Sequence, residues 1–182
     1  MSNLELVEQA RRGDREAFDL LAVGSVDRLF SVARLILRDV DRAEDAVQET
    51  LVRCWRDLPS LREPARFDAW LHRLLIRAVY DEFRSERRHA AKIRVLRAEP
   101  SEADASAALA LREELQRAFE RMTVDHRSVL VLRLYLGLSI DETAAAMGIP
   151  AGTAKSRLHY AIEAMQQALA ANADGPVREV TA

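Results

Sequence analysis

Apolar residues return every three or four positions through most of this chain, and extended Val/Ile/Thr alternation is missing. Leu4, Val7 and Ala10, then Phe18 and Leu21, then Leu29, Val32, Ala33, Ile36 and Leu37 each mark one face of a helix turning at about 3.6 residues. A half-buried strand needs period two, so the spacing predicts an all-α fold with no sheet. Composition agrees: Ala, Leu and Arg abound, Gly and Pro number six and five, and 49% hydrophobic residues suffice for a buried core. A chain of 182 residues has room for one domain or two small ones.

The punctuation of the helical pattern divides the chain. Gly13-Asp14 and Val23-Gly24-Ser25 interrupt the first helices. At Asp41 the sequence D-R-A-E sets an acid three residues before Glu44, the spacing of a capping box, and predicts a helix from Asp41 to Leu58. The loop PSLREP follows, and then a helix carrying Phe67, Trp70, Leu71, Leu74, Val79 and Phe83 that gives way to the charged run RSERRHAAKIR. From Arg97 to Ala108 the residues are small or acidic around Pro100, the composition of a flexible tether. The expected organisation is therefore a helical domain over 1–96, a linker over 97–110, a second helical domain over 111–172 and a short tail over 173–182.

Several classes of function are disfavoured. The net charge of −2 does not describe a free-standing nucleic-acid binder, so any DNA contact must be local. Cys54 is the single cysteine, and His72, His89, His126 and His159 share no metal-ligand spacing, so no metal or cofactor site is expected. Asp45 and Glu49 stand four apart on one helix, but the Glu-x-x-His partner of a di-metal bundle is missing. No apolar signal core opens the chain, and no run approaches the ~18 apolar residues of a membrane span. The expectation is a soluble cytoplasmic protein with no direct membrane insertion and no small-molecule substrate.

Two stretches point to nucleic acid. In LGLSIDETAAAMGIPAGTAKSRLHYAIEAM, Ser139 and Glu142 form a capping box opening one helix, Gly148-Ile149-Pro150 stops it, and a second begins near Ala151. Ala154, Leu158, Ala161 and Met165 share its buried side, leaving Thr153, Lys155, Ser156, His159 and Tyr160 opposite, with Arg157 beside them. Two short helices around a tight turn are the helix-turn-helix pattern, whose second helix enters the major groove; the plainer reading is a helical hairpin with a solvated face. Between Leu111 and Asn172 seven basic residues balance seven acidic ones, so this half alone should bind DNA weakly and act within a larger assembly. Between Arg77 and Arg97, seven basic residues face three acidic ones, with Tyr80 and Phe83 among them and Trp70 two turns before, a combination suited to single-stranded nucleic acid.

The order of these features resembles bacterial RNA polymerase sigma factors of the extracytoplasmic-function (ECF) group. ARRGDREAFDLL, RAEDAVQETLVRCW, RFDAWLHRLL and YDEFRSERR are similar to sigma region 2, and DHRSVLVLRLYLGLSIDETAAAMGIPAGTAKSRLHYA to region 4. The resemblance implies an initiation factor without catalysis, whose partners are promoter DNA, core RNA polymerase through its clamp helices and beta flap, and an anti-sigma factor. It assigns Asp45, Gln48, Glu49, Val52 and Arg53 to polymerase docking. Capture of the minus-ten single strand falls to Arg62 and Arg66 in the loop, then Phe67, Trp70, Arg73, Arg77 and Tyr80, and finally Arg84, Arg87 and Arg88. Thr153, Lys155, Ser156, Arg157, His159 and Tyr160 fall where the family reads the minus-thirty-five element. Departures are Arg77 at a frequent Asn position, Ala154 for Val, Met122-Thr123 for Leu-Pro and Tyr160 for Arg. A stand-alone helix-turn-helix regulator acting as a dimer is the rival reading, and it leaves RAEDAVQETLVRCW unexplained.

Overall fold

The computed structural model describes residues 2–90 and 115–173, apart from the side chains of 87–90, 168 and 171–173. The expected tether and both of its boundaries lie outside the described residues, as does the tail beyond Ala173. Every regular element among the described residues is helical.

Helix α1 (Asn3–Arg11) opens on a capping box between Ser2 and Glu5, and Gly13, at φ +94°, turns the chain into α2 (Arg15–Leu37). The expected break at Val23-Gly24-Ser25 does not occur. Leu21 and Leu29 are buried on either side of Gly24, and that packing outweighs the ~1 kcal/mol a mid-helix glycine costs. Arg38 ends α2 in the left-handed conformation at φ +61°, which leaves Asp39 extended just ahead of the next helix. Asp39 rather than Asp41 therefore caps α3 (Val40–Asp57), accepting the Arg42 amide at 3.0 Å. Asp41 instead lies in the first turn, where its charge meets the helix dipole.

Two short 3₁₀ turns, Leu58–Ser60 and Pro64–Arg66, replace the expected open loop and lead into α4 (Phe67–Ala90). This helix persists through RSERRHA to Ala90, where the charged run was expected to end it. Arg, Glu and Ala are good helix formers, and Arg42 of α3 holds Glu86 at 2.5 Å. Packing of α2, α3 and α4 encloses Leu29, Ile36, Cys54, Leu75, Ile76 and Val79. Thr50 is buried among them because its hydroxyl donates to the Ala46 carbonyl at 2.6 Å.

The second unit comprises the helical residues 115–121 (α5), α6 (Val124–Leu130) with a π-type turn over Val131–Tyr135, α7 (Ile140–Met147) and α8 (Ala151–Ala173). Thr123 caps α6 by accepting the His126 amide at 3.3 Å, so Thr at this position supplies a cap that Pro does not. The expected capping box opens α7: Ser139 accepts the Glu142 amide, and the Glu142 carboxylate accepts the Ser139 amide at 2.8 Å. Gly148 closes α7 at φ +67° with open space where a Cβ would stand. Gly148→Ala meets backbone strain alone, and a loss of ~1 kcal/mol in urea denaturation is the expected result.

The two units are packed together. Helix α7 lies on α4, α6 meets α2, and the buried apolar cluster runs through both without a gap.

Candidate nucleic-acid and polymerase interfaces

On α3 the residues between the buried ones form one outward stripe. Asp45, Gln48 and Val52 are exposed, Val52 at 59%, and Glu49 is half-buried beside them. Arg53 is braced: its Nε donates to Glu49 Oε1 at 2.6 Å and its Nη2 to Asp81 Oδ2 at 2.9 Å, tying α3 to α4. Glu82 has its carboxyl held above the usual range by burial first and then by Asp45. The stripe is thus an acidic face around one exposed valine, suited to a partner that brings cations and an apolar contact.

The minus-ten candidates line the start and one side of α4. Arg62 and Arg66 are exposed at its entrance, Arg66 paired with Glu63 at 2.8 Å. Trp70 is half-buried, and its ring lies 6.1 Å from that of Phe67. Phe67 itself is only 3% exposed; as a core side chain it fixes the 3₁₀ turn and offers no ring face to a base. Arg73 and Arg77 are exposed, and Arg84 reaches Asp81 at 3.4 Å. The side chains of Arg87 and Arg88 are outside the described set. Arg62, Arg66 and Arg73 line a cleft of about 750 Å³ whose far wall is α7, through Glu142, Ala145 and Ala146.

One lining group there escaped sequence reasoning. His72 is 3% exposed, and its Nδ1 finds no hydrogen-bond partner among the described residues. Burial, and then the positive charge of Arg28, pull its imidazole down to about 4, against the opposing pull of Asp68. Its position four before Ile76 and seven before Val79 placed it on a buried stripe, which was the available signal.

Helix α8 presents the other candidate face. Lys155, Ser156, His159 and Tyr160 are exposed, with the His159 and Tyr160 rings 5.7 Å apart, while Ala154 and Ala161 are fully buried beneath. Ser156 donates its hydroxyl to the Gly152 and Thr153 carbonyls at 3.1 Å, leaving its lone pairs to accept. Thr153 and Arg157 are half-buried, and Arg157 is turned inward to Asp125, Nη2 to Oδ2 at 2.9 Å. Asp125 also accepts the Tyr80 hydroxyl from α4 at 2.6 Å.

Comparison with known proteins covers both units. Residues 24–89 match the family model for Sigma-70 region 2, and residues 112–165 match that for Sigma-70 region 4. Over 161 residues the chain is 35% identical to the ECF RNA polymerase sigma factor SigM of Mycobacterium tuberculosis, spanning 86% of this chain and 79% of that one. The chain belongs to the ECF RNA polymerase sigma factors. This sigma factor is also 33% identical to the ECF sigma-E factor of Escherichia coli, over 88% of its own length and 90% of the relative's. Its similarity to the RNA polymerase sigma-H factor of Pseudomonas aeruginosa is 30% over 91% and 92%. Among solved structures it resembles CnrH in complex with the cytosolic domain of CnrY, at a TM-score of 0.67, 25% identity and coverage of 93% and 97%. The sigma factor RpoE of Bartonella quintana, solved with the anti-sigma factor NepR, gives 0.64 at 25% identity, covering 84% and 96%. A sigma factor is a transcription initiation factor, not an enzyme, and a region 2 match over 24–89 disfavours the stand-alone dimeric regulator. No helix among the described residues is long and apolar enough to cross a membrane.

Proposed function

We propose that this sigma factor directs core RNA polymerase to promoters in the cytoplasm, with each unit carrying a separate contact. The α3 stripe of Asp45, Gln48, Glu49 and Val52, held in place by Arg53, docks on the clamp helices of the largest subunit, and the second unit meets the beta flap. Arg62, Arg66, Trp70 and the α4 arginines hold the unstacked minus-ten strand, the cations pairing with phosphate and Trp70 and Tyr80 offering ring faces. Phe67 serves this surface from beneath. Lys155, Ser156, His159 and Tyr160 enter the major groove at the minus-thirty-five element, with Thr153 and Arg157 at their edge. An anti-sigma factor holds the protein inactive; the RpoE of Bartonella quintana was solved in complex with one, NepR.

The observation that carries this reading is the presence, in one chain, of an exposed acidic α3 stripe and an exposed Lys155-Ser156-His159-Tyr160 face on separate helical units matching regions 2 and 4. Runoff transcription by core polymerase, with and without the protein, on fragments carrying the promoter of its own operon tests it. Discrete starts that need the protein support the reading; starts identical in its absence, together with no binding to core, overturn it. Lys155→Ala removes an exposed cation and little packing. It is expected to weaken minus-thirty-five binding by roughly tenfold and to lower the salt slope by about one, as a phosphate contact does, in a fluorescence titration of the holoenzyme.

A further inference from the structure

We propose that this sigma factor latches itself shut, region 4 held on region 2 by Arg127 and by an Asp125 carboxylate shared between Tyr80 and Arg157. The proposal rests on the promoter-reading roles given above to Tyr80 and Arg157.

Arg127 is the stronger half of the latch. It is 8% exposed, and its Nε donates to the Ile36 carbonyl across the interface at 2.6 Å. Ile36 belongs to the last turn of α2, where carbonyls lack intrahelical partners and the helix dipole is negative, so the guanidinium caps α2 in trans. Its Nη1 is occupied by the Met122 carbonyl at 3.0 Å and, at 3.3 Å, the Glu120 carbonyl of its own unit. Beside it Arg38 of α2 pairs with Glu120. The second half joins three helices at one carboxylate: Tyr80 of α4 donates to one oxygen of Asp125 and Arg157 of α8 to the other.

Distance makes this contact inhibitory. Elements named for positions minus ten and minus thirty-five lie about 25 base pairs apart, on the order of 80 Å of duplex at about 3.4 Å per pair. Tyr80 and Arg157, each within 3 Å of the same carboxylate, cannot serve both elements at once. Helix α7 also walls the cleft that Arg62, Arg66 and Arg73 would offer to the single strand. The α3 stripe, by contrast, stays exposed in the latched state. Core polymerase can therefore dock there first and open the molecule afterwards.

The latch is also built to release. Arg127 is a buried cation whose hydrogen bonds go to carbonyls, so the solvation it regains on opening offsets much of what it loses. Burial, ahead of the charges of Arg38 and Arg42, already lowers its pKa.

The test uses the full chain carrying a dye pair on cysteines at exposed Glu16 and Gln166. Cys54 is buried with its thiol pushed up to about 12 and contributes little background labelling. Single-molecule energy transfer should show a mainly closed wild type that core polymerase opens. Asp125→Ala and Arg127→Met should each raise the open-to-closed ratio by roughly tenfold or more and strengthen binding of the free protein to promoter duplex. A circular-dichroism melt separates opening from unfolding for Arg127→Met, and Asp125→Ala, at a half-exposed helix start, gives an independent reading. A wild type already open, or transfer unchanged by both substitutions while runoff transcripts appear, overturns the latch. Transfer that responds to both substitutions, with no protein-dependent transcript from either form, upholds the latch as a contact and overturns the sigma reading instead.

Discussion

Replacing Asp45, Gln48 and Glu49 together by alanine should lower protein-dependent runoff transcription by at least ~30-fold, about 2 kcal/mol of lost docking energy, with no loss of thermal stability. All three lie on the outer side of α3, and Asp45 and Gln48 form no hydrogen bond with other described residues. Alanine is the best helix former, so the substitutions favour α3 locally. Only the Glu49 to Arg53 bond is given up, and Arg53 keeps Asp81 at 2.9 Å. Removing the carboxylates also relieves the charge repulsion from Asp45 and Glu49 that adds to burial in holding the Glu82 carboxyl above its usual range. Loss of function without loss of stability would therefore report a surface that binds something. Normal transcription from the triple variant, or a melting midpoint several degrees lower, would remove α3 from the docking role.

The helices themselves were legible because their apolar spacing is a property of single elements. What failed depended on neighbours. Gly24 has the chemistry of a break, but whether a helix crosses it is decided by what Leu21 and Leu29 pack against. Asp39 and Asp41 both offer a capping carboxylate; the left-handed turn at Arg38 selects the first, and nothing in D-V-D-R announces that conformation at an arginine. The exposed residues of α8 followed from helical periodicity, since Ala154 and Ala161 fix which side is down. Phe67 belongs by spacing to the apolar stripe of Trp70, Leu71 and Leu74; only the family resemblance drew it into the minus-ten set, and the packed structure keeps it in the core. Arg127 left a trace: it stands three after Val124 and four before Val131, inside an apolar stripe. Periodicity can say that such an arginine is covered. It cannot say by what, because the Ile36 carbonyl lies 91 residues away.

The same limit applies to His72, whose burial should make the protein acid-sensitive in a window where carboxylates contribute little. In the unfolded chain its imidazole takes a proton near the ordinary ~6.5, whereas in the folded protein it does so only near about 4. Between those values the unfolded state binds more protons, so unfolding free energy rises with pH there and is lost as pH falls. The full difference is ~3 kcal/mol, of which ~2 kcal/mol should be gone at pH 5. Glu5, Asp57 and Glu142 also have lowered pKa values, but ordinary carboxylates start to titrate below about 5, so the interval from pH 7 to 5 belongs mainly to the histidine. The charged form would have to share its pocket with Arg28, and Asp68 is too weak an attraction to reverse the balance. Urea denaturation at pH 7, 6 and 5 on wild type and His72→Leu checks this: the wild-type midpoint should fall steadily and the variant's should stay nearly level. Parallel slopes would mean that the acid sensitivity lies in other groups and that water reaches the imidazole.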